Sequence, residues 1–413
     1  MTILTSPTTG NDLFSGCYDD QSGGRFLGRN PVADSAAFVL KHSDIVGLNE
    51  TGIKAAAKYI YERIQLESYT PRSWRTHPLH LCPHEPYAPD DPSTRECFDW
   101  LFLISSLNFS FWSEKEGQTD RYGVEWRAGW SLEERVVHTG YWSLVAAVDR
   151  ALEEGIPLTD PAFYSSEILC PDSLLVHVFR PASQSSEGIP LLKERIAVLR
   201  EVGNILCTHF SGSFYGFYQE FHRVNDGRGT ALQLVQMVAE TFPSFRDEFV
   251  YEGRKICIWK RAQILVAETW AAFYPCSSSP HPLFPQGSAI HQLTMFADYR
   301  LPQILHHLQI LTYPPSLKKL LEAHTMLASG SRVELSIRAA SIMAVERMKE
   351  EIVMLCGGKK NQKREGLLQD INSVLIDFYL WNLAKRIESD EESISKIETN
   401  QMLPIHRTRS LWY

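Results

Sequence analysis

Apolar residues recur every three to four positions along most of the chain, while evidence for strictly alternating runs is thin. The period predicts helices over 47–64 (GLNETGIKAAAKYIYERI), 142–157 (WSLVAAVDRALEEGIP), 191–206, 230–242 and 255–274 (KICIWKRAQILVAETWAAFY). Later helices are predicted over 302–311 (PQILHHLQIL), 331–355 (SRVELSIRAASIMAVERMKEEIVML) and 366–387 (GLLQDINSVLIDFYLWNLAKRI). Residues 98–112 (FDWLFLISSLNFSFW) are apolar nearly all round, which suits a buried helix better than a surface one. Gly155 and Pro157 are stop signals for the helix before them. The prolines of THPLHLCPHEPYAPDDPS (76–93) forbid regular structure there, and PCSSSPHPLFPQGS (275–288) and GGKKNQKREG (357–366) read as breaks between helices. Residues 1–38 are polar and expected to be mobile, and surface insertions are expected near 181–189 and 389–401. The pattern therefore predicts a mainly α fold, one helical domain over 39–413 with few short strands.

Composition narrows the class. At 44% hydrophobic and 22% charged, 413 residues can bury a large core, as expected of a globular enzyme. A net charge of −8 argues against holding duplex DNA on a broad basic surface, so no stable nucleic-acid complex is expected, although a few local Arg and Lys suffice for a small anion. Eight scattered cysteines without a Cys-x-x-Cys pair read as reduced thiols, which places the chain in the cytoplasm, with the nucleus also open. The N-terminus shows no basic and apolar signal-peptide pattern, and no apolar run approaches the ~20 residues of a membrane span. P-loop, G-x-G-x-x-G, G-x-S-x-G and H-E-x-x-H motifs are absent.

The candidate chemistry centres on FADYRLPQ (296–303). Proline disfavours helical geometry in the residue before it, so Leu301 is expected to be extended and Pro302 to open a helix. Asp298, Tyr299 and Arg300 then lie just upstream of a helix N-terminus, which favours anions. Asp298 is either a helix cap, with Arg300 paired to a surface acid, or part of a reaction centre. His77, His80, Cys82 and His84 are permissible zinc ligands, but no second cluster completes a tetrahedral site, so no metal is expected and one His lining a pocket is the simpler reading. Lys260 and Arg261 open an apolar-faced helix with Glu268 two turns on, where bases are mildly anomalous; they answer a phosphate, an internal carboxylate or solvent. Asp377, one turn before Trp381 and near Asn382, sits among apolar residues and needs a partner, either an arginine or a ligand. Glu334 and Arg338 are four apart, the spacing of a helix-surface ion pair.

Taken in order, SLNFSFW, GYWSLVAAVDRALEEGIPLTDP, KRAQILVAETW, FADYRLPQIL, VELSIRAASI and LIDFYLWN, ending in HRTR, resemble the queuosine salvage protein family. The resemblance runs from about residue 42 to the C-terminus, and it is the ordered set rather than any one motif that is specific. It implies a helical fold akin to the helix-hairpin-helix DNA glycosylases. It also implies hydrolysis of the N-glycosidic bond of queuosine 5′-monophosphate, releasing queuine for reuse in tRNA, with no cofactor and with a monomer expected. Carried over by motif, Asp298 is the catalytic residue, and Phe296, His80 (or His77 or His84 in another register), Asp377 and Asn382 contact the base. Asn382 departs from an expected aspartate, and Glu268 from the aspartate of ADTW. Within that reading Trp381 suits a flat base, and Lys260, Arg300 and Arg407 are the candidates for the 5′-phosphate. A non-catalytic helical nucleotide- or nucleic-acid-binding module, and a nucleosidase for another purine-like nucleotide, are the alternatives.

Overall fold

Short polar side chains start many of the helices by accepting the first unpaired N–H groups. Asn30, Asn49, Asp91, Asp160, Ser213, Thr230 and Asn372 do this ahead of helices beginning at residues 31, 50, 92, 161, 214, 231 and 373. The computed structural model describes residues 30–276, 279–285, 288–357 and 371–413. In chain order the helices are α1 (Pro31–Lys41), α2 (Glu50–Leu66), α3 (Pro92–Ser106), α4 (Tyr141–Glu153), α5 (Pro161–Ser165), α6 (Asp172–Val178) and α7 (Leu192–His209). They continue with α8 (Phe214–Val224), α9 (Ala231–Thr241), α10 (Lys260–Ala272), α11 (Arg300–His307), α12 (Pro315–Glu322), α13 (Arg332–Gly357) and α14 (Ser373–Glu388). Three two-stranded antiparallel pairs complete the fold: β1 (Gly47–Leu48) with β6 (Leu311–Thr312), β2 (Gly123–Arg127) with β3 (Arg135–Thr139), and β4 (Glu248–Tyr251) with β5 (Arg254–Cys257). The protein is mainly α, as the periodicity predicts. No described helix is long and apolar enough to cross a membrane.

The hydrophobic residues form two cores. One gathers α3, α4 and α7 to α10, and the other gathers α1, α2, α11, α13 and α14. Helix α10 packs against α3 and α9, α13 against α1 and α2, and α11 against α14. Phe296 belongs to the first core and its neighbour Ala297 to the second, so the segment between Thr294 and Arg300 runs along the seam.

Several expectations are corrected. Residues 31–38 form the body of α1, because Asn30 accepts the Val32 N–H at 2.8 Å and Pro31 pre-sets the first turn. The rest of the expected mobile lead, and the expected 357–366 linker beyond Gly357, lie outside the described residues. The helix expected over 255–274 is instead β5 followed by α10. Glu252 and Gly253 take φ of 49° and 74°, a two-residue turn that folds β5 back on β4, and Trp259 at φ 47° separates strand from helix. The apolar 98–112 run leaves the helix after Ser106. The β2–β3 hairpin and helix α8 carried no predicted element.

Glu334 and Arg338 are not a surface pair. Both are fully buried on α13, and Arg338 forks onto Asp247 at 2.6 and 3.1 Å while reaching Glu334 at 3.4 Å. Burial pushes the Glu334 carboxyl up to about 7, with Arg338 opposing the shift. The i, i+4 spacing was read correctly, but the third member, Asp247, comes from a distant segment.

Candidate active site

Helix α11 starts at Arg300, not at Pro302. Asp298 Oδ1 accepts the backbone N–H groups of Arg300 (2.8 Å) and Leu301 (2.9 Å), so Leu301 is helical rather than extended. Pro302 is tolerated at the third helical position because first-turn N–H groups have no partner within the helix. Arg300 pairs with Glu388 at 3.0 Å and with Gln303 at 3.0 Å. Asp298 is therefore a cap, and it also lines a cavity together with Phe296, Tyr299 and Arg300. The two readings of FADYR are one arrangement. Both N–H groups use Oδ1, and among the described residues Oδ2 has no hydrogen-bond partner.

Helix α14 supplies the facing wall. Asp377, Phe378, Trp381, Asn382 and Lys385 line the cavity at helical spacing. Among the described residues Asp377 meets no arginine. Its Oδ2 accepts the Phe296 N–H at 2.8 Å, which fastens the Asp298 segment to α14. Asn382 donates to the Tyr69 hydroxyl at 2.8 Å. Helix α10 adds Lys260, Ile264 and Glu268, one residue per turn along a single face. Lys260 is 4% exposed, and its Nζ reaches the Asn108 carbonyl at 3.4 Å, so solvent exposure is not why a base opens this helix. Arg261 is structural, spanning the carbonyls of Ser106 and Ser244.

The proline-stiffened loop brings His77 and His80 to the cavity and leaves His84 outside it, exposed and paired with Asp91. His80 stacks on Trp74 with ring centres 3.9 Å apart, and its Nδ1 donates to the Trp74 carbonyl at 2.7 Å. Burial lowers His80 to about 3, so the ring is neutral and its unpartnered Nε2 is a hydrogen-bond acceptor. His77 stacks on Trp142 at 3.6 Å and is lowered to about 4 by burial.

Charge sorts the cavity into regions. Asp298, Asp377 and Lys260 form one group. Burial raises the Asp298 carboxyl, opposed by Lys260 and by its two N–H donors. Asp377 has one N–H donor, and burial lifts it well above the carboxylate range, with Asp298 adding to the shift. Burial pulls Lys260 down to about 8, with Asp298 opposing. Arg121, Arg300 and Lys385 form a second group that lines the cavity, partnered by Glu116 and Glu388. Arg121 Nε is buried without a partner.

Arg407 is not brought to this cavity. It pairs with Glu114 at 2.7 Å and lies over Trp112, held there by the parallel bridge between residues 326 and 407. The pattern reading also missed Arg121, Tyr141, Trp142 and Lys385 as cavity residues. Lys385 was within reach of the periodicity, being one turn after Trp381 and two after Asp377. Arg121 lies in irregular chain, where spacing carries no such signal. No group of three His, Cys, Asp or Glu able to hold a metal occurs among the described residues.

Residues 87–413 match the family described as queuosine salvage protein. A protein of Schizosaccharomyces pombe named queuosine 5′-phosphate N-glycosylase/hydrolase is 37% identical over 391 residues, covering 92% of this chain and 99% of that one. One of Mus musculus with the same name is 36% identical, covering 92% and 98%. One of the bacterium Sphaerobacter thermophilus, also so named, is 34% identical, covering 76% and 81%.

Proposed function

The chain belongs to the queuosine salvage protein family, and we propose that it hydrolyses the N-glycosidic bond of queuosine 5′-monophosphate. The products are queuine, which returns to tRNA modification, and ribose 5-phosphate. The observation that carries the reading is Asp298, held rigidly by two N–H groups in a cavity with stacking rings at one side and a cluster of cations at another.

The mechanism follows from the two carboxyl groups. Departure of the base builds positive charge at C1′, and a fixed carboxylate in a water-poor site stabilises that charge or adds to it covalently. Of the close pair, Asp298 is the member kept ionised, because Lys260 and two N–H donors favour its charge. Asp377, kept protonated by burial beside Asp298, is in the form that donates a hydrogen bond to the base and a proton as the base leaves. Water completes the hydrolysis at C1′. Phe296 and Trp381 flank the base, and His80 Nε2 accepts from one of its N–H groups. Lys260 belongs with Asp298 and the sugar rather than with the phosphate.

Arg121, Arg300 and Lys385 hold the 5′-phosphate in this reading. Lys385→Ala is expected to raise KM for the nucleotide by about tenfold while changing KM for the nucleoside by less than about twofold. Arg407→Ala is expected to leave both KM values within about twofold, since its partner Glu114 lies outside the cavity. Steady-state kinetics on the two substrates check both. We further infer that the helices adopt a DNA-glycosylase-like arrangement, which the mainly α fold supports, and that the enzyme acts as a cytoplasmic monomer.

The direct test is to incubate the purified protein with queuosine 5′-monophosphate and follow queuine and ribose 5-phosphate by mass spectrometry. Enzyme-dependent release of both is expected. Intact nucleotide at high enzyme concentration would overturn the assignment.

A further inference from the structure

Gln303, the last residue of FADYRLPQ, has no part in the mechanism above and does not line the cavity. It lies one turn after Arg300 in α11, half-buried, and both ends of its amide are engaged. Its Oε1 accepts from Arg300 Nη1 at 3.0 Å, and its Nε2 donates to the Leu403 carbonyl at 2.7 Å. Chemistry fixes that orientation, since a guanidinium has only donors and a carbonyl only accepts. Arg300 Nη2 is taken by Glu388 at 3.0 Å. The guanidinium is thus held directly by α14 and, through Gln303, by the chain around Leu403.

The stretch from Ser389 to Leu403 is irregular, and its pattern read as a surface insertion, yet it is tied down along its length. Glu392 pairs with Arg63 of α2 and with Arg386 of α14, each at 2.9 Å. Asn400 closes the far end of α11: its Nδ2 donates to the His306 carbonyl at 2.8 Å and its backbone N–H to the His307 carbonyl at 2.8 Å. These are last-turn carbonyls, which a helix leaves without partners of its own. The Leu403 side chain joins the second core, with Ile394, Ile397 and Met402 packed alongside. Helix α11 has eight residues, too few to be stable alone. Its position is set from outside, by Asp298 at its start, Asn400 at its end and Leu403 between them.

We propose that Gln303 is a positioning residue for phosphate binding: backed by the strap from Ser389 to Leu403, it holds the Arg300 guanidinium in the orientation that meets the 5′-phosphate. This rests on the proposed substrate and on Arg300 as one of its phosphate ligands. A free arginine side chain loses rotamer freedom when it binds, and fixed partners remove that cost from the binding step. A neutral amide does this without adding negative charge beside an incoming anion. A glutamate here would set a second acceptor against the Leu403 carbonyl.

The test measures KM for queuosine 5′-monophosphate and Ki for queuosine as a competitor. Gln303→Met, which keeps the length and removes both hydrogen bonds, is expected to raise the nucleotide KM about fivefold while moving the nucleoside Ki by less than about twofold. Arg300→Ala is expected to raise the nucleotide KM about 30-fold. Adding Gln303→Met to Arg300→Ala should change that value by less than about twofold, because a residue acting through Arg300 then has nothing to position. Asn400→Ala, which frees the strap from His306, is expected to give an about threefold rise confined to the nucleotide, and it decides the matter if Gln303→Met fails to fold. Equal weakening of both ligands, an unchanged nucleotide KM, or the same further loss in the Arg300→Ala background overturns the role of Gln303. An unchanged nucleotide KM in Arg300→Ala itself overturns the phosphate assignment instead.

Discussion

Asp298→Asn is expected to lower kcat for queuine release by about 10³-fold with little change in melting temperature. The asparagine oxygen can still accept the N–H groups of Arg300 and Leu301, so the start of α11 is preserved and only the charge facing the sugar is lost. Asp298→Ala removes the cap as well, and should add a loss of about 1 kcal/mol in stability to the same loss of rate. The pH profile carries a second signature. Because burial raises the Asp298 carboxyl, wild-type kcat/KM should rise with pH along an acid limb above the usual carboxylate range. Below that limb Asp298 is protonated and cannot stabilise the cationic transition state. The limb should vanish in Asp298→Asn. Wild-type turnover in that variant would sink the mechanism.

Arg338→Leu is expected to destabilise the protein by about 3–5 kcal/mol, read as a lower midpoint in urea unfolding, because it strands two buried carboxylates. Arg338 is fully buried, forks onto Asp247, reaches Glu334, and lies over the Tyr413 ring at 4.7 Å. Its Nε also donates to the Ala297 carbonyl at 3.1 Å, immediately before Asp298, while Asp247 accepts the Lys260 backbone N–H at 3.3 Å. The triad thus supports the two elements that carry Asp298 and Lys260. Where the variant remains folded, kcat should fall more than KM rises, since the carboxylate loses its placement. Arg338→Lys keeps a charge but not the planar fork, and should lie between the two. Unchanged stability in Arg338→Leu would show that the pair does not act as a buried ion pair.

Much of the site was legible because it is built on helices. Asp377, Trp381 and Lys385 share a face of α14 by spacing, and Lys260, Ile264 and Glu268 share one of α10 in the same way. A carboxylate amid apolar residues announced that Asp377 had a buried partner. The kind of partner was not legible: it is a backbone N–H on Phe296, 81 residues away. Arg407 shows the opposite failure. An arginine in a recognisable motif looked suited to a phosphate, yet Glu114, nearly 300 residues earlier, takes it elsewhere.

The linear pattern by itself determined the helical class and most of the helices. It also determined the family, through six motifs in order, and the prominence of Asp298. These are local properties: a period of 3.6, a cap and a proline are written within a few residues of one another. Only the tertiary structure decided which cations reach the cavity, which histidines stack there, and which carboxyl groups carry a charge. Burial and the charge of distant neighbours set those protonation states. Neither quantity exists until the two cores close around the segment from Thr294 to Arg300.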